Sequence, residues 1–177
     1  MGFGKAFLLS LTAFVGINFI FTIIYYALSP GLEFGDLFDT IQGAPLMILY
    51  YLFGSIICTP FTIFNWTIAQ PYLGNFDLAF LILGLGYLIA PIIAAILAGR
   101  FGESKGQCFG GWLLTAVISI VPVFIGVFLS ATFQTILSTT YFWGSLDVIL
   151  ISSIISCVIN IVFYGFFALL FSKIEYY

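Results

Sequence analysis

The sequence predicts an all-α integral membrane protein: a polytopic bundle of four transmembrane helices plus one re-entrant or fifth spanning segment. Three observations predict it. Only 6% of the 177 residues are charged and 63% are hydrophobic, whereas a soluble domain charges about a quarter of its residues. The apolar residues gather into five runs, 6–28, 44–69, 78–99, 111–133 and 148–172, and no Lys, Arg, Asp or Glu interrupts any of them. Each run exceeds ~20 residues, enough as helix to cross a hydrocarbon core about 30 Å thick. A membrane barrel would instead show short alternating strands. Residues 1–177 therefore read as one helical membrane domain whose solvent is the lipid bilayer.

The first run is too long for the apolar part of a signal peptide, and Pro30 directly after Ser29 disfavours cleavage there. Beyond it, Ser29 and Pro30 suit a helix start. Phe34, Leu37, Phe38 and Ile41 then recur at one-face spacing, which predicts a short interfacial helix over about 30–42. The second run holds Gly54 and Pro60 near its middle. Both break helices, and a break there permits a loop that enters and leaves on one side.

The third run places Gly86, Ala90, Ala94 and Ala98 on one face. The fourth carries Gly111, Thr115, Ser119, Gly126 and Ser130 largely on one face. Helices in lipid gain from the close approach that small side chains allow. These two runs are thus expected to pack on each other as a small-residue hairpin. Its turn, 96–112, holds Arg100 and Lys105 together with five glycines.

Charge sets the expected topology. Lys5 precedes the first run, Arg100 and Lys105 follow the third, and Lys173 follows the fifth. Positive residues mark the cytoplasmic side. Five spans with the N-terminus outside misplace only Lys5. Four spans with a re-entrant second run misplace none. That arrangement puts Glu33, Asp36, Asp39, Asp77 and Asp147 outside, and the turn at Arg100 and Lys105 and the C-terminus on the cytoplasmic face of the plasma membrane. Tyr141, Phe142 and Trp143 suit an outer aromatic belt and Trp112 an inner one.

Two amides lie deep. Asn18 and Asn160 each sit about 12 residues, or roughly 18 Å, from the inner end of their spans. They are expected to approach each other. Asn160 continues a polar stripe with Ser152 and Ser156.

Several chemistries are absent from the sequence. It has no histidine, and its three cysteines, Cys58, Cys108 and Cys157, show no CxxC spacing. Free thiols are expected, with no metal site and no cofactor. No span holds a carboxylate for acid–base work or for an aspartyl protease, although 33–36 reads "EFGD". A net charge of −3 without basic clusters argues against nucleic acid. A non-enzymatic protein is expected.

The segment "GRFGESK", 99–105, resembles in part the short inner loop of the major facilitator superfamily. Arg100, Gly102 and Lys105 match, and the family's aspartate is missing. It reads as a shared solution to a tight basic turn. The spacing of Ala90, Ala94 and Ala98 resembles the AxxxA helices of substrate-capture subunits of vitamin importers. Those subunits have six spans.

Two functions lead as expectations, and a third is a cation pathway, since the five outer carboxylates raise the local cation concentration. The first is a small subunit or accessory component of a larger membrane complex, whose partners are other membrane subunits or copies of itself. The second is a small transporter or its substrate-binding component. Asn18, Asn160, Ser152, Ser156 and Asn65 would then line a polar path.

Overall fold

The computed structural model describes residues 2–74, 76–140 and 144–172. The chain is all-helical, with no strand among the described residues. In order come α1 (Gly2–Leu28), α2 (Phe34–Gly43), α3 (Met47–Phe53), α4 (Pro60–Ala69), α5 (Leu78–Phe101), α6 (Lys105–Leu129), α7 (Ala131–Thr140) and α8 (Leu146–Leu170). Tighter single turns extend α3 over Gly54–Ile57 and α4 over Gln70–Tyr72. Helices α1, α5, α6 and α8 are each long and apolar enough to cross a membrane.

Local chemistry sets the boundaries. Helix α1 ends ahead of Pro30, which has no N–H to continue it, and Ser29 Oγ donates back to the Tyr25 carbonyl at 2.8 Å. Gly31 then turns the chain at φ 81°, a conformation that glycine adopts without strain. Helix α2 therefore starts at Phe34, later than Ser29 and Pro30 suggest. Its cap is Glu33, whose backbone N–H donates to the Asp36 carboxylate at 2.6 Å. Asp77 caps α5 by accepting from the N–H groups of Ala79 and Phe80 at 2.8 and 3.2 Å. Ser104 caps α6 by accepting from Gln107 N–H at 3.3 Å.

Helix α7 has no counterpart in the sequence analysis. Ser130 is extended, which ends α6, and its Oγ accepts from Phe133 N–H at 3.2 Å. Gln134 Nε2 then reaches back to the Val127 carbonyl at 2.7 Å, satisfying a group that a helix end leaves open. Phe133 and Leu137 are fully buried and hold α7 on the bundle. Residues 141–143 and Lys173 lie outside the described residues, so the outer belt and the last base do too.

The direction of each long helix follows from what its glycines touch. A Cβ on Gly2 would meet Glu103 and Gln107, and one on Gly86 would meet Phe21. The Tyr25 and Phe80 rings are 5.4 Å apart. Thus α1 and α5 run antiparallel along their whole length, and they form the most extensive helix pair in the molecule. Gly99 abuts the Ala168 carbonyl, which brings the end of α8 to the beginning of α1. Lys5, Arg100 and Lys105 share this basic end with Glu103. Glu33, Asp36, Asp39, Asp77 and Asp147 gather at the opposite, acidic end.

Since α1 arrives at the acidic end and α5 departs from it, the segment between them leaves and returns at one end. Its two halves, Met47–Ile57 and Pro60–Tyr72, meet at 96°. The tip is tied to the middle of α8: Asn160 Nδ2 donates to the Ile56 and Cys58 carbonyls at 2.7 and 3.0 Å. Asn160 lies fourteen residues into α8, ~21 Å along it. Gly54 and Pro60 flank the bend, as breakers do.

One stripe organises α1. Its buried residues are Gly2, Ala6, Ser10, Phe14, Asn18, Thr22 and Tyr26, spaced by four throughout. Such a stripe advances about 40° around the helix at each step. Its early turns accordingly meet α6, where Gly111 lies on Ala6. Its last turns meet α3, where Tyr26 packs edge-on against Tyr51 with ring centroids 5.9 Å apart.

Candidate functional site

The polar residues expected to line a path divide into three groups. Asn18 and Asn160 are both fully buried but do not bond to each other. Asn18 Nδ2 donates to the Phe14 carbonyl of its own helix at 2.9 Å, while Asn160 holds the broken segment. Trp112 touches both neighbourhoods. Its indole N–H lies 3.3 Å from the carbonyls of Asn160 and Ile161, and its ring packs on Phe14 and Tyr164 at 6.3 and 5.7 Å. Trp112 is fully buried, so it is a core wedge and not a member of an inner interfacial belt.

On α8, Ser156 is buried and Ser152 only half-buried. The inward stripe runs through Ser153, fully buried, whose Oγ donates to the Ile149 carbonyl at 2.7 Å. Ser153, Ser156 and Asn160 keep the i, i+3, i+7 spacing of one face. Asn65 stands apart, exposed on the outer face of α4 beside Phe61, Phe64 and Ile68.

The small residues form seams, largely with partners other than the expected one. Ala90, Ala94 and Ala98 are fully buried, and Gly86 fits against Phe21 of α1. On α6, Gly111 fits against α1 and Gly126 against Phe133 of α7. Thr115 Oγ1 bonds within its helix to the Gly111 carbonyl at 2.9 Å. Helices α5 and α6 do make a hairpin, but α5 packs more extensively on α1 than on α6. At the turn, Arg100 and Lys105 are exposed. Gly102 lies against Cys108, whose thiol donates to the Gly99 carbonyl at 3.2 Å.

Around the broken segment lies a polar centre. The Asn18 and Asn160 Oδ1 atoms, Ser55 Oγ and Tyr164 Oη are buried without a hydrogen-bond partner. Each contributes an oxygen in an otherwise apolar interior, where such groups are costly unless satisfied. Ser55 belongs to the break, and Tyr164 stands one turn beyond Asn160.

Nearer the acidic end is a cavity of about 230 Å³ between α1, α3, α5 and α7. Its walls include Tyr25, Tyr26, Tyr50, Tyr51 and Tyr87, with Thr22 among them. The rings meet edge to face: Tyr25 on Tyr26 at 5.6 Å and Tyr50 on Tyr51 at 6.0 Å. Tyr26 and Tyr51 join hydroxyls at 2.6 Å. Thr22 Oγ1 donates to the Asn18 carbonyl at 3.0 Å and reaches the Tyr51 carbonyl at 3.4 Å. The tyrosines escaped the sequence analysis. The signal that was present is two adjacent pairs, 25–26 and 50–51, flanking the short helix expected over about 30–42.

No carboxylate or thiol lines this cavity. Cys58, Cys108 and Cys157 are free and buried. Among the described residues no three His, Cys, Asp or Glu side chains come together to hold a metal ion. The walls combine aromatic rings with hydroxyls, two of which already bond to each other. It offers no nucleophile–base pair. No known family model, curated protein or solved structure matches this chain.

Proposed function

We propose that the chain is an integral membrane protein with four spans, α1, α5, α6 and α8, and a re-entrant segment from Met47 to Tyr72. Its basic end, with Arg100 and Lys105, faces the cytoplasm and carries the C-terminus, and the membrane is the plasma membrane. The segregation of bases and acids to opposite ends supports this orientation. Thiol labelling tests it at four exposed glycines with no neighbour within 4 Å. Gly4→Cys and Gly106→Cys should label from one side, and Gly43→Cys and Gly74→Cys from the other. Labelling of positions 4 and 106 from opposite sides sinks the re-entrant topology.

Within that frame the protein is a non-enzymatic ligand-binding component of the transporter class. One observation carries this reading: a broken helix reaches mid-bundle beside a tyrosine-lined cavity. Broken backbone at membrane depth persists where it is buried in protein or lines a cavity, and transporters place their sites beside such breaks.

A second reading, a small subunit of a larger complex, is favoured by Asn65. Its amide lies on an exposed apolar face without a hydrogen bond of its own, and an amide in lipid gains from a partner helix. Gentle extraction, sizing and native mass spectrometry separate the two. A lone chain retaining a small molecule fits the first reading. Stoichiometric protein partners lost in Asn65→Leu fit the second.

A further inference from the structure

The cavity walls specify a ligand class. A phenol ring carries negative charge density on its faces and positive density on its edges. Five such rings line one space, and π-rich walls of this kind are what aromatic cages use to recognise the diffuse charge of quaternary ammonium groups.

The mouth agrees with this polarity. Tyr25 is half-buried and Phe80 is 38% exposed, while Tyr26, Tyr50, Tyr51 and Tyr87 are all buried. Phe80, the most exposed wall residue, lies where α5 begins, and Leu83 and Ile136 are partly exposed as well. Asp77 caps α5 there, three residues before Phe80. Glu33, Asp36, Asp39 and Asp147 share that end, and the described bases Lys5, Arg100 and Lys105 lie at the other. Fixed negative charge around a mouth raises the local concentration of cations and repels anions.

Other ligands fit less well. A metal ion takes carboxylate, carbonyl or water oxygens, and no carboxylate or amide side chain lines the cavity. The Tyr26 and Tyr51 hydroxyls already bond to each other. A hard cation would exchange its hydration for ring faces. An ammonium ion wrapped in alkyl groups holds water weakly and loses little on entry. An uncharged apolar molecule would gain from burial but nothing from the ring faces or the acidic mouth.

We infer that the tyrosine-lined cavity binds an organic cation of the alkyl- or quaternary-ammonium class, admitted from the acidic end. The inference rests on the reading of the cavity as a ligand site. The test is calorimetric titration of the protein in lipid nanodiscs with choline, and with the uncharged isostere in which carbon replaces the quaternary nitrogen. Choline should bind saturably and at least about tenfold more tightly than the isostere. Tyr25→Phe keeps the ring face and should retain binding. Tyr25→Leu removes it and should weaken choline by a similar factor at unchanged melting temperature. The comparison of choline with its isostere needs no variant, so it stands even if Tyr25→Leu does not fold. Equal binding of the two compounds overturns the cation assignment and leaves a ligand cavity. Binding of neither overturns both. A folded Tyr25→Leu that binds choline like the parent also overturns the inference.

Discussion

At the basic end, α1, α5, α6 and α8 converge through small residues. Gly99 lies on the Ala168 carbonyl, Gly111 on Ala6 and Gly102 on Cys108. At the acidic end α1 meets α3 through the Tyr26 and Tyr51 rings, 5.9 Å apart, and meets α5 through Tyr25 and Phe80 at 5.4 Å, beside a cavity that α7 also lines. Small residues let backbones touch, so nothing is left between them. Rings hold backbones apart and leave room that their own edges do not fill. One bundle thus has a close-packed half and a half that holds a cavity.

The sharpest way to break this comparison is to add a side chain at each kind of glycine. Gly99→Val forces a Cβ onto the Ala168 carbonyl, and backbone cannot rotate away as a side chain can. We expect a loss of about 3 kcal/mol or more, read as thermal unfolding in mild detergent. Gly106→Val, at a position with nothing within 4 Å, should melt close to the parent. Ala94 is fully buried, and Ala94→Leu should cost ~1–3 kcal/mol by overpacking. If Gly99→Val melts with the parent, the basic half is not close-packed.

Between the halves stands the tie from Asn160 to the break. Asn160→Leu removes the donor to two buried carbonyls, and a buried group left unsatisfied costs about 1–3 kcal/mol. We expect a loss of that order and faster amide exchange over residues 54–59. Asn18→Leu should cost only ~0.5 kcal/mol, since its amide bonds to a carbonyl of its own helix. Equal losses at the two asparagines would mean that the break is not held from α8.

Much of the architecture was legible because it follows from length, apolarity and breakers. The four long helices, the short helix α2 and the bend flanked by Gly54 and Pro60 all come from local rules. The seams did not come through. A stripe of Gly86, Ala90, Ala94 and Ala98 says that some helix approaches closely, and the nearest in sequence is α6. The partner that packs most extensively on α5 is α1, more than fifty residues away, and no pattern within α5 encodes that choice. The same holds for Asn160. Its depth made it a candidate for bonding Asn18, but depth does not reveal that backbone carbonyls freed by a broken helix lie nearer. Helix α7 was hidden because Ser130 is a cap inside an apolar run, and apolarity alone reads through it. The cavity needs α1, α3, α5 and α7 assembled, so its tyrosines had no meaning until the topology was known.

The finest comparison is inside the acidic half, between ring packing and ring hydroxyls. Tyr51→Phe keeps the edge-to-face contact with Tyr26 and deletes one hydroxyl of the 2.6 Å pair. Tyr26 is 8% exposed, so its hydroxyl would lose its partner with little water to replace it. The expected loss is ~0.5–1.5 kcal/mol. Tyr26→Phe should cost about the same for the mirror reason. The double variant decides what holds α3 on α1. With both hydroxyls gone no orphan remains, so the double should be nearly as stable as either single variant and the two losses should fail to add. Fully additive losses would mean that the two hydroxyls act through separate partners and that ring packing and the Thr22 contact to the Tyr51 carbonyl join α3 to α1.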